Sequence, residues 1–426
     1  MHDVKWVLEH LDEATARLKK RNPDLSFDSL TTIAEARRRA VQRHNELRAE
    51  QNKLSREFGA NQKTMAADQA SAMRERLKSL SDEVKGLEAE AKELDEKLEA
   101  AALYIPNIPQ AVVPEGRSDA DNVVVKTWGQ QVEHAFVALD HDALGEKLGI
   151  LDFEAASRLA GNGFALYRGL GARLERALQS FFLDSHSEKH GYEEVLTPFM
   201  VRRECMVGTG QLPKFEDDAY RMDADDMFLI PTAEVSITNM YRGLMLDAGD
   251  LPKKLCGFSP CFRREAGSHG RDVRGLTRVH QFQKVELVHL STPEDSARAH
   301  EELVGHAEAM LEALGLAYRR MELCGGDLGF GASRCYDLEV WLPVQKRWRE
   351  ISSCSNFLDF QARRADIRYR PEPGAKPRFV HTLNGSGLAI GRTVMAILEV
   401  YQTADEKIVV PEVLRRYMGV DVIGAR

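Results

Sequence analysis

Apolar residues recur through the first hundred positions with a helical beat. Ile33, Ala40, Leu47 and Leu54 come at every seventh position, with Leu30 and Phe58 extending the seam. After a break near Gly59–Ala70 the steps alternate between four and three through Met73, Leu77, Leu80, Val84, Leu87, Ala91, Leu94, Leu98 and Ala101. This is the a/d repeat of a left-handed coiled coil, and the short break predicts two helices folded back as an antiparallel hairpin. At ~1.5 Å rise per residue, about 30–35 residues per helix give an arm on the order of 50 Å long, too narrow to enclose a pocket. A short helix is expected before it over residues 1–25, ending near Asn22–Pro23, with Trp6, Leu8 and Leu11 as its apolar side.

The pattern breaks at YIPNIPQAVVPEG (104–116), whose three prolines refuse a helix and predict a linker between domains at 1–103 and 117–426. Beyond it, Val123–Trp128 and Val195–Met200 read as strands, and residues 166–190 and 293–314 as helices. Irregular order without βαβ punctuation predicts an α+β domain, an antiparallel β-sheet flanked by helices. The densest chemistry falls between Cys256 and Val288. Leu255–Phe262 and Val279–Leu290 read as the arms of an antiparallel hairpin, joined by a glycine-broken loop carrying Arg263, Arg264, Arg271, Arg274 and Arg278, with Glu265 and Glu286 one on each arm. Arginine forks recognise phosphate and carboxylate bidentately, so a long loop with five of them points to anion binding.

Composition narrows the partners. A chain of 426 residues can bury a sizeable core and is expected to make two domains. The balance of 58 Lys+Arg against 66 Asp+Glu gives a net charge of −8, so any RNA contact must rely on local basic patches. One such patch is Arg37, Arg38, Arg39, Arg43, Arg48, Lys53 and Arg56 on the first arm helix, while acids crowd the second. The N-terminus is too charged for a signal peptide and no run of eighteen apolar residues occurs, which predicts a cytosolic, cytoplasmic chain with no membrane partner. The six cysteines show no paired C-x-x-C spacing and are expected to be reduced, buried thiols, with no zinc.

FRREAGS, RGLTRVHQF and QKVEL, taken with IPTAEVSITN (230–239), GDLGF (326–330), DLEVWLP (337–343), REISSCSN (349–356) and HTLNGSGLAIGRTVMAILE (381–399), resemble the motifs of class II aminoacyl-tRNA synthetases in the form found in seryl-tRNA synthetases. The resemblance runs nearly end to end, arm included. It implies ATP and L-serine as substrates, Mg²⁺, tRNA(Ser) and also tRNA(Sec) as acceptors, and a homodimer formed through the helix at 166–190 and the GYEEVLTPFMV that follows. The arm would reach the long variable arm of the tRNA and stand in for anticodon reading, with Arg37, Arg38 and Arg39 on the RNA and Arg271 and Arg274 at the acceptor end.

For the chemistry the resemblance implies Arg263 at the α-phosphate and the substrate carboxylate, with Arg264 beside it, and Glu265 at the adenine amino group. Phe282 would stack on the adenine and Arg392 would cover its other face as a cation over a π system. Glu350 and Ser353 would be the Mg²⁺ ligands, with Ile351 and Ser352 on the same nucleotide-binding strand. A site that rejects alanine must pair the serine hydroxyl. Thr232, Ala233 and Glu234 with Glu286 and Ser386 supply groups of the required type, and spacing leaves open which carboxylate takes the ammonium and which the hydroxyl. Positioning and electrostatics carry such a reaction, with Arg263, Glu265 and Arg392 as the catalytic set and no general base needed. The chain departs from the usual pattern at GNGFALY (161–167), at Phe357 and Leu358, and at Val400.

Overall fold

The computed structural model describes residues 1–266 and 274–424. The chain forms two compact units: His2–Lys19 with Asp24–Pro106, and Met1 with Lys20–Pro23 and Asn107–Arg426.

The smaller unit begins with two short helices, α1 (Val4–Glu9) and α2 (Leu11–Leu18), where the sequence suggested one. Asp3 caps α1 by accepting from the Trp6 N–H at 3.0 Å, and His10 breaks the run with a non-helical backbone. The buried stripe is Val7, Ala14 and Leu18, whereas Leu8 and Leu11 are 39% and 37% exposed. Leu8 and Leu11, expected on the apolar side, thus lie off the covered face, which helical period sets. The arm follows the heptads closely: α3 (Asp28–Asn61, 34 residues) and α4 (Ala67–Leu103, 37 residues). Both are rich in Ala, Glu, Lys, Arg and Leu, strong helix formers. Leu47, Leu80 and Val84 form the dry centre of the seam with Leu54 and Leu87 packed beside them. Arg37 pairs with Asp95 across the arm, and Arg76 with Glu50 at 2.8 Å.

The larger unit is built on an eight-stranded sheet made of β1 (Val123–Trp128), β2 (Glu193–Glu194), β3 (Lys253–Phe262), β4 (Gln281–Ser291), β5 (Tyr318–Glu322), β6 (Arg334–Leu342), β7 (Arg347–Leu358) and β8 (His381–Ala389). Their order is β1-β5-β6-β7-β8-β4-β3-β2, and every pairing is antiparallel except β2 with β3. Helices α5 (Leu170–Glu188), α7 (Ser296–Ala313) and α9 (Ile390–Val400) bring Leu178, Phe182, Leu303, Leu311, Val394 and Leu398 against Leu287, Leu338, Val340 and Leu383 of the sheet. Two shorter helices, α6 (Ala233–Asn239) and α8 (Phe360–Ala365), complete the set that concerns the site. The fold is the α+β arrangement anticipated, an antiparallel sheet with helices on it.

Strand period then sorts the side chains. On β4, Val285 and Leu287 enter the helix-covered core while Phe282, Lys284 and Glu286 share the opposite face. The hairpin of β3 and β4 is the one expected, although β4 starts at Gln281, leaving Val279 in the connection. The expected strand at Val195–Met200 is not formed. The strand ends at Glu194, with a last bond from the Val195 N–H to the Cys256 carbonyl at 2.8 Å, and a new strand in another sheet begins at Met200–Arg202, with Pro198, which has no N–H to give, in the gap. The proline-rich stretch is packed into the larger unit from Asn107 onward, where the Asn107 amide donates to the carbonyls of Gly331 and Phe357, both at 2.8 Å.

Candidate active site

The polar face of β4, β7 and β8, the start of α6 and the end of β3 enclose a cavity of about 700 Å³. Its lining gathers residues from stretches more than a hundred positions apart in the chain: Thr232 and Glu234, Arg263 and Glu265, Phe282, Glu350 and Ser353, Ser386 and Arg392.

One end is lined by the Glu234 carboxylate, with a second carboxylate, Glu286, buried behind Thr232, Lys284 and Asn384 of the wall. Thr232 caps α6, its hydroxyl accepting from the Glu234 N–H at 3.2 Å and donating to Glu286 at 2.8 Å. Glu286, fully buried, also accepts from Asn384 at 3.1 Å and pairs with Lys284 at 2.5 Å. Glu234 is 5% exposed, and burial, then the Glu286 charge, pushes its carboxyl up to about 7 against the pull of Gln361, Lys284 and Arg263. Three donors thus occupy Glu286, while Glu234 keeps an oxygen for a ligand. The Ala233 side chain packs with Ile237, Leu255 and Val288 beneath the cavity.

The other end carries the cations. Arg263 follows directly on β3; its N–H donates to the His280 carbonyl at 2.9 Å, and its guanidinium stands 5.1 Å from the centre of the Phe282 ring. Arg264 is exposed and tied through its N–H to the carbonyl of Asp218 at 3.0 Å. Glu265 stands two residues after Arg263, a spacing that shares a face on a regular strand, but β3 ends at Phe262 and Glu265 has a left-handed backbone, φ +52°. The turn, not the pleat, brings it to the cavity, where it pairs with Arg278 at 2.5 Å.

Glu350 and Ser353 are three residues apart, a spacing that puts side chains on opposite faces of a regular strand. A bulge reconciles them: Ser352 pairs with Leu338 and Glu350 with Glu339, so Ile351 is the extra residue and the phase shifts by one. Both oxygens therefore line the cavity. Ser352, in contrast, is buried and donates to the Ser386 carbonyl at 2.7 Å. Arg392, in the first turn of α9, binds the Glu350 carbonyl at 2.7 Å and its carboxylate at 3.3 Å. Burial and the neighbouring Glu350 push the Asp337 carboxyl well up, whereas Glu350, raised by burial but pulled down further by Arg392, is the acid of the two that keeps its charge. Among the described residues no group of three or more His, Cys, Asp or Glu could hold a metal ion, so a divalent ion here would combine the two oxygens of Glu350 and Ser353 with oxygens of its ligand.

Of the residues expected to meet RNA, Arg271 lies outside the described residues. Arg274 is 71% exposed at its side chain and is held by Asp142 at 2.6 Å and Asp140 at 3.6 Å. On the arm Arg37 is paired with Asp95, Arg39 lies 3.9 Å from Glu35, and Arg38 is exposed. Sequence reading missed Lys284 and Asn384, though each stands two residues before a chosen one, Glu286 and Ser386, and so shares its face. It also missed Gln361, for which no local signal exists.

The profile of the tRNA synthetase class II core domain (G, H, P, S and T) matches residues 214–401, and that of the seryl-tRNA synthetase N-terminal domain matches residues 1–109. The serine–tRNA ligase of Citrifermentans bemidjiense is 51% identical over 419 residues, covering 98% of this chain and 99% of that one. Among solved structures, the seryl-tRNA synthetase of Pyrococcus horikoshii complexed with ATP superposes with a TM-score of 0.96 at 35% identity over the full length of both chains. The cytoplasmic serine–tRNA ligase of Naegleria fowleri in complex with AMP gives 0.90 at 28% identity, covering 100% of this chain and 99% of that one. With an arm and a core that each match, and relatives aligned from end to end, the chain belongs to the seryl-tRNA synthetases, the class II serine–tRNA ligases that use ATP to join serine to tRNA.

Proposed function

We propose that the cavity binds ATP and L-serine side by side and that its residues divide the work as follows. Arg263 receives both the α-phosphate and the serine carboxylate, so that two anions can approach, and Arg264 reinforces the positive potential. The serine carboxylate oxygen attacks the α-phosphorus, pyrophosphate leaves, and the ribose hydroxyl of the tRNA 3′-terminal adenosine then displaces AMP from the seryl carbon. Phe282 and Arg392 sandwich the adenine, Glu265 reads its amino group, and Ile351 and Ser352 hold the strand beneath it. Glu350 and Ser353 would hold Mg²⁺, whose charge would offset that of the triphosphate and the departing pyrophosphate. Thr232, Ala233, Glu234, Glu286 and Ser386 form the serine pocket. Glu234, which has an oxygen to spare, takes the ammonium; Glu286, already ordered by three donors, faces the hydroxyl together with Ser386.

The observation that carries this reading is the meeting, in one cavity, of the Glu234 carboxylate, backed through Thr232 by the buried Glu286 and suited to an amino acid, and an arginine–phenylalanine pair suited to a nucleotide. We assign residues 1–103 to tRNA binding, with Arg37, Arg38 and Arg39 on the phosphates, 104–116 to a linker, and 117–426 to catalysis, with Arg271 and Arg274 at the acceptor end. Because the arm, and not the anticodon, would identify the tRNA, tRNA(Sec) is included beside tRNA(Ser). A homodimer is proposed through α5 and the segment after it, supported by Leu196, which is 83% exposed, and half-exposed Met200. The site of action is the cytoplasm; none of the described helices is long and apolar enough to cross a membrane.

Serine-dependent ATP–pyrophosphate exchange, followed by charging of purified tRNA, tests the assignment. Phe282→Ala should raise the ATP KM roughly tenfold, the worth of one stacked ring, and leave the serine KM near its starting value. An unchanged ATP KM in a folded Phe282→Ala protein would remove the adenine from that face.

A further inference from the structure

The serine end of the cavity is backed by a buried amide that none of the roles above uses. Gln361, in the first turn of α8, is 1% exposed. Its amide nitrogen donates to Glu234 Oε1 at 2.6 Å and to the Thr209 carbonyl at 3.2 Å, and its oxygen accepts from the Thr382 hydroxyl at 2.6 Å. The Thr209 carbonyl has no proton to give, so it fixes which end of the amide faces Glu234. All three anchors come from separate elements: the turn after residues 203–208, α6, and β8. Glu286 is served in parallel by Asn384, two residues along β8 from Thr382. Each buried carboxylate is thus steered by a carboxamide. For Glu286 the Thr232 hydroxyl and Lys284 add to it, whereas for Glu234 the Gln361 amide is the donor that opposes burial and the Glu286 charge at hydrogen-bond range.

A carboxylate in such a place has two ways to fail a substrate ammonium: it can rotate, or it can take up a proton. We infer that Gln361, braced by Thr382 and the Thr209 carbonyl, is a positioning residue that sets the affinity for serine by fixing one oxygen of Glu234 and leaving the other turned to the cavity. The inference rests on the reading of Glu234 as the serine-ammonium contact. The charged groups around Glu234 are Glu286 and Lys284 from β4 and Arg263 beyond β3, and none of them is altered by changing Gln361.

The test uses the full-length protein in serine-dependent pyrophosphate exchange, with Gln361→Leu, Thr382→Val and Glu234→Gln compared with the parent. Losing a hydrogen bond to a charged group is expected to raise the serine KM roughly 10–100-fold in Gln361→Leu while the ATP KM stays within about twofold. Thr382→Val should move the serine KM the same way by a smaller factor. The acid limb of kcat/KM for serine should shift to higher pH in both, because a donor that favours the ionised Glu234 is lost or loosened. A merely structural role would raise both substrates' KM together and leave the acid limb in place, and that result overturns the inference. Should Gln361→Leu fail to fold, Thr382→Val, which removes only a hydroxyl, decides: an unmoved serine KM and acid limb overturn it. A raised serine KM in Glu234→Gln with an unmoved one in Gln361→Leu sinks the positioning role alone. An unmoved KM in Glu234→Gln sinks the serine contact on which it rests.

Discussion

Glu234 is placed at the expense of stability. Its carboxyl, ordinarily near 4.5, lies at about 7 in the fold, chiefly through burial and next through Glu286. Between those values the folded chain keeps a proton that the unfolded chain releases, so the stability this group contributes in acid is lost as pH rises from 4.5 through 7 and stays lost above. Replacing it by an amide of the same shape removes the effect. Glu234→Gln is therefore expected to be more stable than the parent at pH 8 by on the order of 1–3 kcal/mol, with the advantage gone at pH 4.5, while serine-dependent exchange collapses. Thermal melts of both proteins at pH 5 and pH 8 check the sign; a less stable variant at pH 8 would mean that hydrogen bonding, not desolvation, governs the site. The residues themselves were largely legible. Arg263, Glu286 and Glu350 announce anion and cation chemistry by type and by their neighbours in the chain. Gln361 does not, because its partners Thr209, Glu234 and Thr382 are 152, 127 and 21 positions away and only the fold supplies them.

Elements were read well where the signal is local. The arm's heptads run over dozens of residues and fix both helices, and the β3–β4 hairpin follows from apolar runs flanking a glycine-rich loop. What escaped depends on pairing: the bulge at Ile351, the break between Glu194 and Met200, and the turn that aims Glu265 each arise from a neighbouring strand or loop that the local sequence does not contain. The segment 328–332 shows how such an element is held. Arg21, 9% exposed, donates to the carbonyls of Asn107 at 2.6 Å, Leu328 at 2.8 Å and Gly329 at 3.2 Å, and to that of Ala332. Burial brings its guanidinium down to about 9, still protonated at neutral pH. Gly329, Phe330, Gly331 and Ala332 are cavity wall, so this one side chain shapes one side of the site by satisfying its backbone. Arg21→Met keeps the bulk but leaves several buried carbonyls unmet, with an expected cost of about 3–5 kcal/mol in denaturant unfolding. Arg21→Lys, a point charge without the planar fork, should recover only part of it. Full stability in Arg21→Met would show that water takes the place of the guanidinium.

Across the whole molecule the buried titratable groups set a pH limit that no single site reveals. His186 and His289 are brought down to about 3, and His300, His306 and His381 to about 4, each mainly by burial. They lie on α5, β4, α7 and β8, around the core beneath the sheet, with the Tyr192 hydroxyl bonded to His289 at 2.8 Å and His186 bonded to the Gly387 carbonyl at 2.7 Å. Since the unfolded chain takes up protons near 6.5 and the fold resists until 3 or 4, their contribution is intact above pH 6.5 and drains away as pH falls below it. Glu234 and Glu175, both near 7 through burial, work the other way and gain stability over the same descent. Five histidines so lowered outweigh the acids raised by burial, at ~1.4 kcal/mol for each tenfold change in proton affinity. The net loss between pH 6.5 and 4 is then on the order of several kcal/mol, comparable with the whole stability of an ordinary domain. The melting temperature should accordingly hold between pH 7 and 8, fall steeply below about pH 6, and fall less steeply in His381→Gln, which removes one of the five protonation steps. A melting temperature that stays level down to pH 5 would mean that these rings already carry their protons in the folded chain, and that the core around them is wetter than its packing implies.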